Sequence, residues 1–134
     1  MEDTTDINFR IDPFPTRDDL QPAWKAAWGA PFTGDLAKVL SRSLVHAAAY
    51  SGERLVGYVN VAWDGGVHAF LLDTTVDPAF QRRGIARKLV AMVAEVARER
   101  GAHWLHVDYE PQLAGFYDGC GFRHTAAGLI ALRG

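Results

Sequence analysis

The chain's 134 residues suit one domain (1–134) with one main core, and a composition 49% apolar and 22% charged is that of neither a disordered nor a membrane-spanning chain. With 14 basic against 16 acidic residues the formal net charge is -2, which argues against nucleic acid as a bulk partner. One cysteine, Cys120, excludes an internal disulfide, and the acidic start at residues 1–6 does not read as an export signal, so a cytoplasmic protein is expected.

Residues 7–11 alternate weakly and stop at Asp12-Pro13, which predicts a short first strand. Thr16 is placed to cap a helix running to about Trp28, with Leu20, Trp24 and Trp28 on one face and Pro22 in its early turns. Thr33 is placed to cap a second helix through Leu36, Val39, Leu40 and Ser43. From Leu44 the apolar period falls towards two. Strands are predicted at 45–50, 54–63 and 67–76, joined by turns at Ser51-Gly52-Glu53 and Asp64-Gly65-Gly66 into an antiparallel meander.

The strongest helical pattern follows at 85–100, where Leu89, Val93, Val96 and Ala97 share a face and Gly101 suits the C-terminal cap. Then come a strand at 103–109, a short helix near 111–118, a Gly119-Cys120-Gly121 turn and a final strand around 129–132. A helical crossover makes the strands at 67–76 and 103–109 parallel. The expected fold class is α/β, with a mixed sheet.

The segment joining the meander to the long helix carries the chemistry: Val76-Asp77-Pro78-Ala79-Phe80-Gln81-Arg82-Arg83-Gly84-Ile85-Ala86-Arg87. Free amides and the helix dipole make such a junction an anion site, to which Arg82, Arg83, Arg87 and Lys88 add charge. The spelling excludes a Walker A loop, which needs Gly-Lys-Ser/Thr at its end, and a dinucleotide fingerprint, which needs three glycines.

Gln81-Arg82-Arg83-Gly84-Ile85-Ala86, preceded by Val76-Asp77-Pro78, resembles the pyrophosphate-binding segment of the GNAT superfamily of N-acetyltransferases. Phe116-Tyr117-Asp118-Gly119-Cys120-Gly121-Phe122 resembles the same family's apolar-Tyr-x-x-x-Gly-Phe signature. The resemblance implies a mostly antiparallel sheet with a splayed parallel strand pair and helices on both faces. It also implies an enzyme that moves an acetyl group from acetyl-CoA, as co-substrate, to an amine by direct attack.

By that resemblance, Gln81, Arg82, Arg83, Gly84, Ile85 and Ala86 hold the pyrophosphate with Arg87 and Lys88 nearby, Thr74, Thr75 and Val76 pair with the pantetheine arm, and Tyr117 protonates the departing thiolate. The family's usual base positions fall on Phe70 and Leu72, which accept no proton, and its usual asparagine falls on Glu110. Asp73 is set aside because alternation turns it away from Leu72's face. His106, Asp108 and Glu110 share one strand face, and Asp108 or His106 is expected to orient the acceptor or to act as base through water. His68 and Asp64 are weaker candidates. No metal site is expected, since His103 and His106 point to opposite faces, and Cys120 is assigned to turn packing.

The expected acceptor is a small-molecule amine. A non-catalytic acyl-CoA sensor and a protein-amine acetyltransferase are the rival readings. Pairing through a C-terminal strand is common in the family, which leaves a homodimer open.

Overall fold

A computed structural model describes residues 6–133, so residues 1–5, on which the export argument mostly rests, lie outside the described residues. One sheet holds β1 (Ile7–Ile11), β2 (Ser43–Ser51), β3 (Arg54–Trp63), β4 (His68–Val76) and β5 (Trp104–Val107), side by side in chain order. The first four run antiparallel to their neighbours, and β4 and β5 run parallel. The helices are α1 (Arg17–Trp28), α2 (Leu36–Ser41), α3 (Ile85–Glu99) and α4 (Ala114–Gly119). Among the described residues no helix is long and apolar enough to cross a membrane.

Local chemistry accounts for the boundaries. Thr16 caps α1 reciprocally with Asp19, and Gly29 ends the helix at φ 79. The second cap differs from the expectation: Asp35, not Thr33, accepts from the Lys38 N–H, because the chain turns helical two residues later than predicted. At the β3–β4 turn the Asp64 side chain accepts from the Gly66 N–H at 2.7 Å.

Two cores form on opposite faces of the sheet. Val45, Ala47, Val59, Val61, Ala69 and Leu71 meet Ile85, Leu89, Val90 and Val93 of α3. On the other face Ala48, Tyr50, Leu55 and Tyr58 meet Leu20 and Ala23 of α1 and Leu36 and Leu40 of α2. Each large side chain so buried contributes about 1.5–3 kcal/mol. Gly57 sets the approach of α3, since a Cβ there would lie 3.0 Å from both Ile85 and Leu89.

Two expectations at the C-terminal end are corrected. The strand predicted at 103–109 spans only Trp104–Val107, because β4 supplies it with four partners and no more. The strand predicted around 129–132 is absent: Leu129, Ile130 and Leu132 are 83%, 85% and 86% exposed and have no sheet neighbour. Apolar alternation makes a strand only where another strand covers it.

Candidate active site

The parallel pair opens into a fork. β4 and β5 are paired from His68↔Trp104 to Leu71↔Val107 and then separate, although β4 continues to Val76. Beyond Leu71, β4 is paired only with β3, which leaves its β5-facing edge without a strand partner among the described residues. Such an open edge offers main-chain amides and carbonyls to an extended ligand. Val76 and Thr75 are buried there, and Thr74 is half-buried.

The start of α3 lies just beyond β4. Asp77 accepts from Ala79 to form a short 3-10 turn at Pro78–Phe80, while its other oxygen holds Arg54 at 2.6 Å. Arg82 and Gly84 then adopt left-handed backbone, φ 63 and 78, and Gly84 enters α3 with no side-chain cap. The first helical bond runs from Lys88 N–H to Gly84 O, so the amides of Ile85, Ala86 and Arg87 precede it. Three forward-facing amides at a positive helix end suit phosphate oxygens.

The neighbouring side chains are distributed unevenly. Gln81 lies in extended backbone just after the 3-10 turn, and the Arg83 guanidinium sits over the Phe80 ring at 5.3 Å. Arg87 reaches back to α4, where a Cβ on Gly119 would be 3.4 Å from its Nη1. The Lys88 ammonium lies 4.4 Å from the Phe9 ring centroid, towards β1.

On the α4 side, Tyr117 is 7% exposed, stacked on Tyr109 and edge-on to Phe116 and Phe122. The Thr74 side chain acts on its phenol, which places the ring at the fork. Burial raises its pKa above the ordinary phenol value, the Thr74 side chain offsets part of that rise, and Cys120 adds to it. It therefore keeps its proton at neutral pH. Burial also raises the Cys120 thiol, against the pull of Arg87, which fits a packing role and not a nucleophile.

His106 comes from the paired part of β5 and Asp108 from just beyond it. The His106 ring stacks on Phe70 at 4.8 Å, and its Nε2 is 2.9 Å from His68 Nδ1. His106 is paired with Phe70, four residues before Thr74, a separation of roughly 13 Å at about 3.3 Å per residue. Asp108 is one residue beyond the last pair and is exposed, as is Glu110. The fork therefore brings Thr74, Tyr117 and the loop together, while the two histidines lie farther along the sheet.

Two residues stand at the fork that the sequence had placed otherwise, Trp28 on the apolar face of its helix and Asp73 turned away. Trp28 at the end of α1 donates from Nε1 to Thr75 Oγ1 at 2.9 Å, which brings an aromatic ring, 55% exposed, beside β4. Asp73 sits at φ 60 in a β-bulge and so escapes the alternation that had turned it away. An aspartate inside a β-branched run was the available signal, since Asp is depleted in strands and tolerates left-handed backbone.

The comparisons with known proteins agree with this geometry. The family model described as the acetyltransferase (GNAT) family matches residues 7–122. Glucosamine 6-phosphate N-acetyltransferase 1 of Oryza sativa subsp. japonica is 40% identical over 50 residues, covering 37% of this chain and 30% of that protein. The chain thus matches under a third of that relative's length. A GNAT family acetyltransferase from Streptococcus pneumoniae TIGR4 has a similar structure at TM-score 0.79 and 25% identity, over 95% of this chain and 98% of that one. An aminoglycoside N-acetyltransferase solved with CoA shares the fold at TM-score 0.74 and 19% identity, covering 95% and 94%. With its mixed five-stranded sheet, forked parallel pair and a family match over most of its length, this chain belongs to the GNAT family of acetyltransferases.

Proposed function

We propose that the protein transfers an acetyl group from acetyl-CoA to a primary amine of a small molecule, by direct attack with both substrates bound. The observation that carries this reading is the buried Tyr117 phenol facing Thr74 at the fork, in the strand that leads into the amide-rich start of α3. The residues fit a CoA thioester: left-handed Gly84 leaves the helix start uncapped, and the opened β4 edge suits an extended arm. Acetyl-CoA supplies the activated acyl group.

In this reading the amides from Gln81 to Ala86 bind the pyrophosphate, with Arg82, Arg83, Arg87 and Lys88 supplying positive charge nearby. Thr74, Thr75 and Val76 align the arm, and a β4 amide faces the developing oxyanion. Tyr117 supplies the proton that the leaving sulfur needs. Asp108 and His106, from the end of β5 and the residue after it, orient the acceptor. A cytoplasmic site of action accompanies this reading and is supported by the single cysteine.

Phe70 and Leu72, which cannot take a proton, favour one alternative, an acyl-CoA sensor without turnover. Titration calorimetry with acetyl-CoA, followed by thiol release against a panel of primary amines, separates the two. Binding with turnover is expected. Binding without turnover on any amine would leave the sensor, and acetylation of peptide amines alone would shift the acceptor to protein.

A further inference from the structure

The bulge in β4 places a carboxylate at the fork. Tyr58 of β3 pairs with Thr75 and Asn60 pairs with Leu72, so Asp73 and Thr74 together stand against Val59. Asp73 adopts φ 60, an uncommon conformation for a side-chain-bearing residue that persists only where the surroundings hold it. Here the Thr75 hydroxyl donates to the Asp73 carbonyl at 2.8 Å, and Trp28 Nε1 donates to that same hydroxyl at 2.9 Å. The last residue of α1 therefore braces the bulge.

A second observation points to the same place. Among the described residues, the Tyr58 hydroxyl is the buried side-chain polar atom that has no hydrogen-bond partner. Tyr58 is 1% exposed, and Asp73 is the charged group whose field reaches it. A buried donor without an acceptor is costly, so folded chains seldom retain one without a use. Asp73 itself is open to solvent on one side and crowded by protein on the other, and that crowding raises its pKa above the ordinary carboxylate value. The shift brings it closer to a useful base at neutral pH.

From the bulge, its brace and the unpartnered hydroxyl, we infer that Asp73 holds the acceptor's ammonium at the fork and takes its proton. This rests on the acetyl-transfer reading above and gives it the base that Phe70 and Leu72 lack. One N–H proton passes to the Asp73 carboxylate and on to solvent. The freed nitrogen lone pair forms the C–N bond to the acetyl carbon as the C–S bond breaks. Tyr117 gives its proton to sulfur, and the remaining surplus proton on nitrogen restores the phenol. The products are a neutral amide, the free thiol and one released proton. The titratable group that feels Asp73 is Tyr58 on β3, and Tyr117 faces the neighbouring Thr74.

The test compares two amines that differ in their need for a base. Benzylamine is an ammonium at neutral pH and must lose a proton, whereas aniline is already neutral. Asn and Gly both tolerate φ 60, so Asp73→Asn and Asp73→Gly remove the carboxylate while keeping the bulge. Both variants are expected to bind acetyl-CoA within about twofold of wild type by calorimetry. Thiol release with benzylamine is expected to fall roughly 100-fold, and with aniline less than about fivefold. Equal losses on the two amines would reduce Asp73 to a structural residue and overturn the inference. So would undiminished benzylamine turnover, or a wild-type protein that binds acetyl-CoA and acetylates neither amine. Failure of the wild type to bind acetyl-CoA would overturn the acetyl-transfer reading and this inference together.

Discussion

Thr74, in the bulged part of β4, faces the phenol of Tyr117 on the short helix α4 and holds back the rise in its pKa. That contact gives the phenol a fixed address, because α4 has only six residues and could not hold its own position by helical bonding. Tyr109, Phe116 and Phe122 pack around the ring and complete its seat.

Replacing Tyr117 with Phe keeps the packing and removes the proton. Turnover is expected to fall roughly 100-fold with acetyl-CoA affinity unchanged, as measured by thiol release and calorimetry. Because burial raises the phenol's pKa above its ordinary value near 10, the wild-type rate should show no alkaline loss attributable to Tyr117 below pH 10. A Tyr117→Phe enzyme with full turnover would remove this residue from the chemistry.

At the loop, Gly84 has open space where a Cβ would project, so its constraint is the left-handed φ of 78 and not a clash. A β-branched residue there costs upwards of about 1–2 kcal/mol, or it moves the backbone and with it the amides of α3. Gly84→Val should weaken acetyl-CoA binding at least about tenfold, while Gly84→Asn, which tolerates that conformation, should weaken it less. Equal affinities in both variants would mean that the loop does not bind the pyrophosphate.

These expectations show what could be read from the sequence. The meander and α3 were legible because their apolar periods of two and near four run long enough to be unambiguous, and the loop was legible because its spelling is specific. Asp73 was not, since a bulge inserts one residue and defeats the alternation argument without leaving a periodic trace. The apolar residues around 129–132 were read as a strand from a local pattern, but strand formation depends on a neighbour that no local pattern reports. The contacts of Trp28 with Thr75 and of His68 with His106 join residues 47 and 38 positions apart, a distance at which one sequence is silent.

Gly57 links the core to the site. A methyl group there would meet Ile85 and Leu89 at 3.0 Å and Ala49 at 3.3 Å, so Gly57→Ala has to push the start of α3 outwards. A loss of about 1–3 kcal/mol in stability is expected, together with weaker acetyl-CoA binding. Urea unfolding and calorimetry on the same preparation would check both. A lost stability without lost affinity would show that the helix start adjusts independently of its seat on β3.

Tyr58 offers a contrast between stability and rate. Its hydroxyl has no partner, and burial, followed by the field of Asp73, pushes its pKa far above the ordinary phenol value. Tyr58→Phe removes an unsatisfied polar atom and should leave stability unchanged or raise it by up to about 1 kcal/mol. Thiol release with benzylamine should nevertheless fall if the hydroxyl serves the acceptor site. A rise in melting temperature with an unchanged rate would assign the hydroxyl no part in acceptor binding.

His46 predicts how stability responds to acid. It is 1% exposed and accepts the Phe14 N–H at Nε2, 2.9 Å away, so its single proton is on Nδ1, which faces Asp12 Oδ1 at 3.4 Å. Burial lowers its pKa below 6.5. Asp12 opposes that shift, and Arg100, bonded to Asp12 at 2.7 Å, reinforces it. The unfolded chain therefore binds a proton at this residue at higher pH than the folded chain does. Stability is whole above about pH 6.5 and falls as the pH drops from there to the folded-state pKa, by at most about 1.4 kcal/mol per pH unit, and is flat in this term below it. His46→Gln keeps an acceptor for Phe14 and has nothing to titrate. Urea midpoints at pH 7.5 and 5.5 should differ less in that variant than in wild type, and an equal difference would place the acid sensitivity elsewhere.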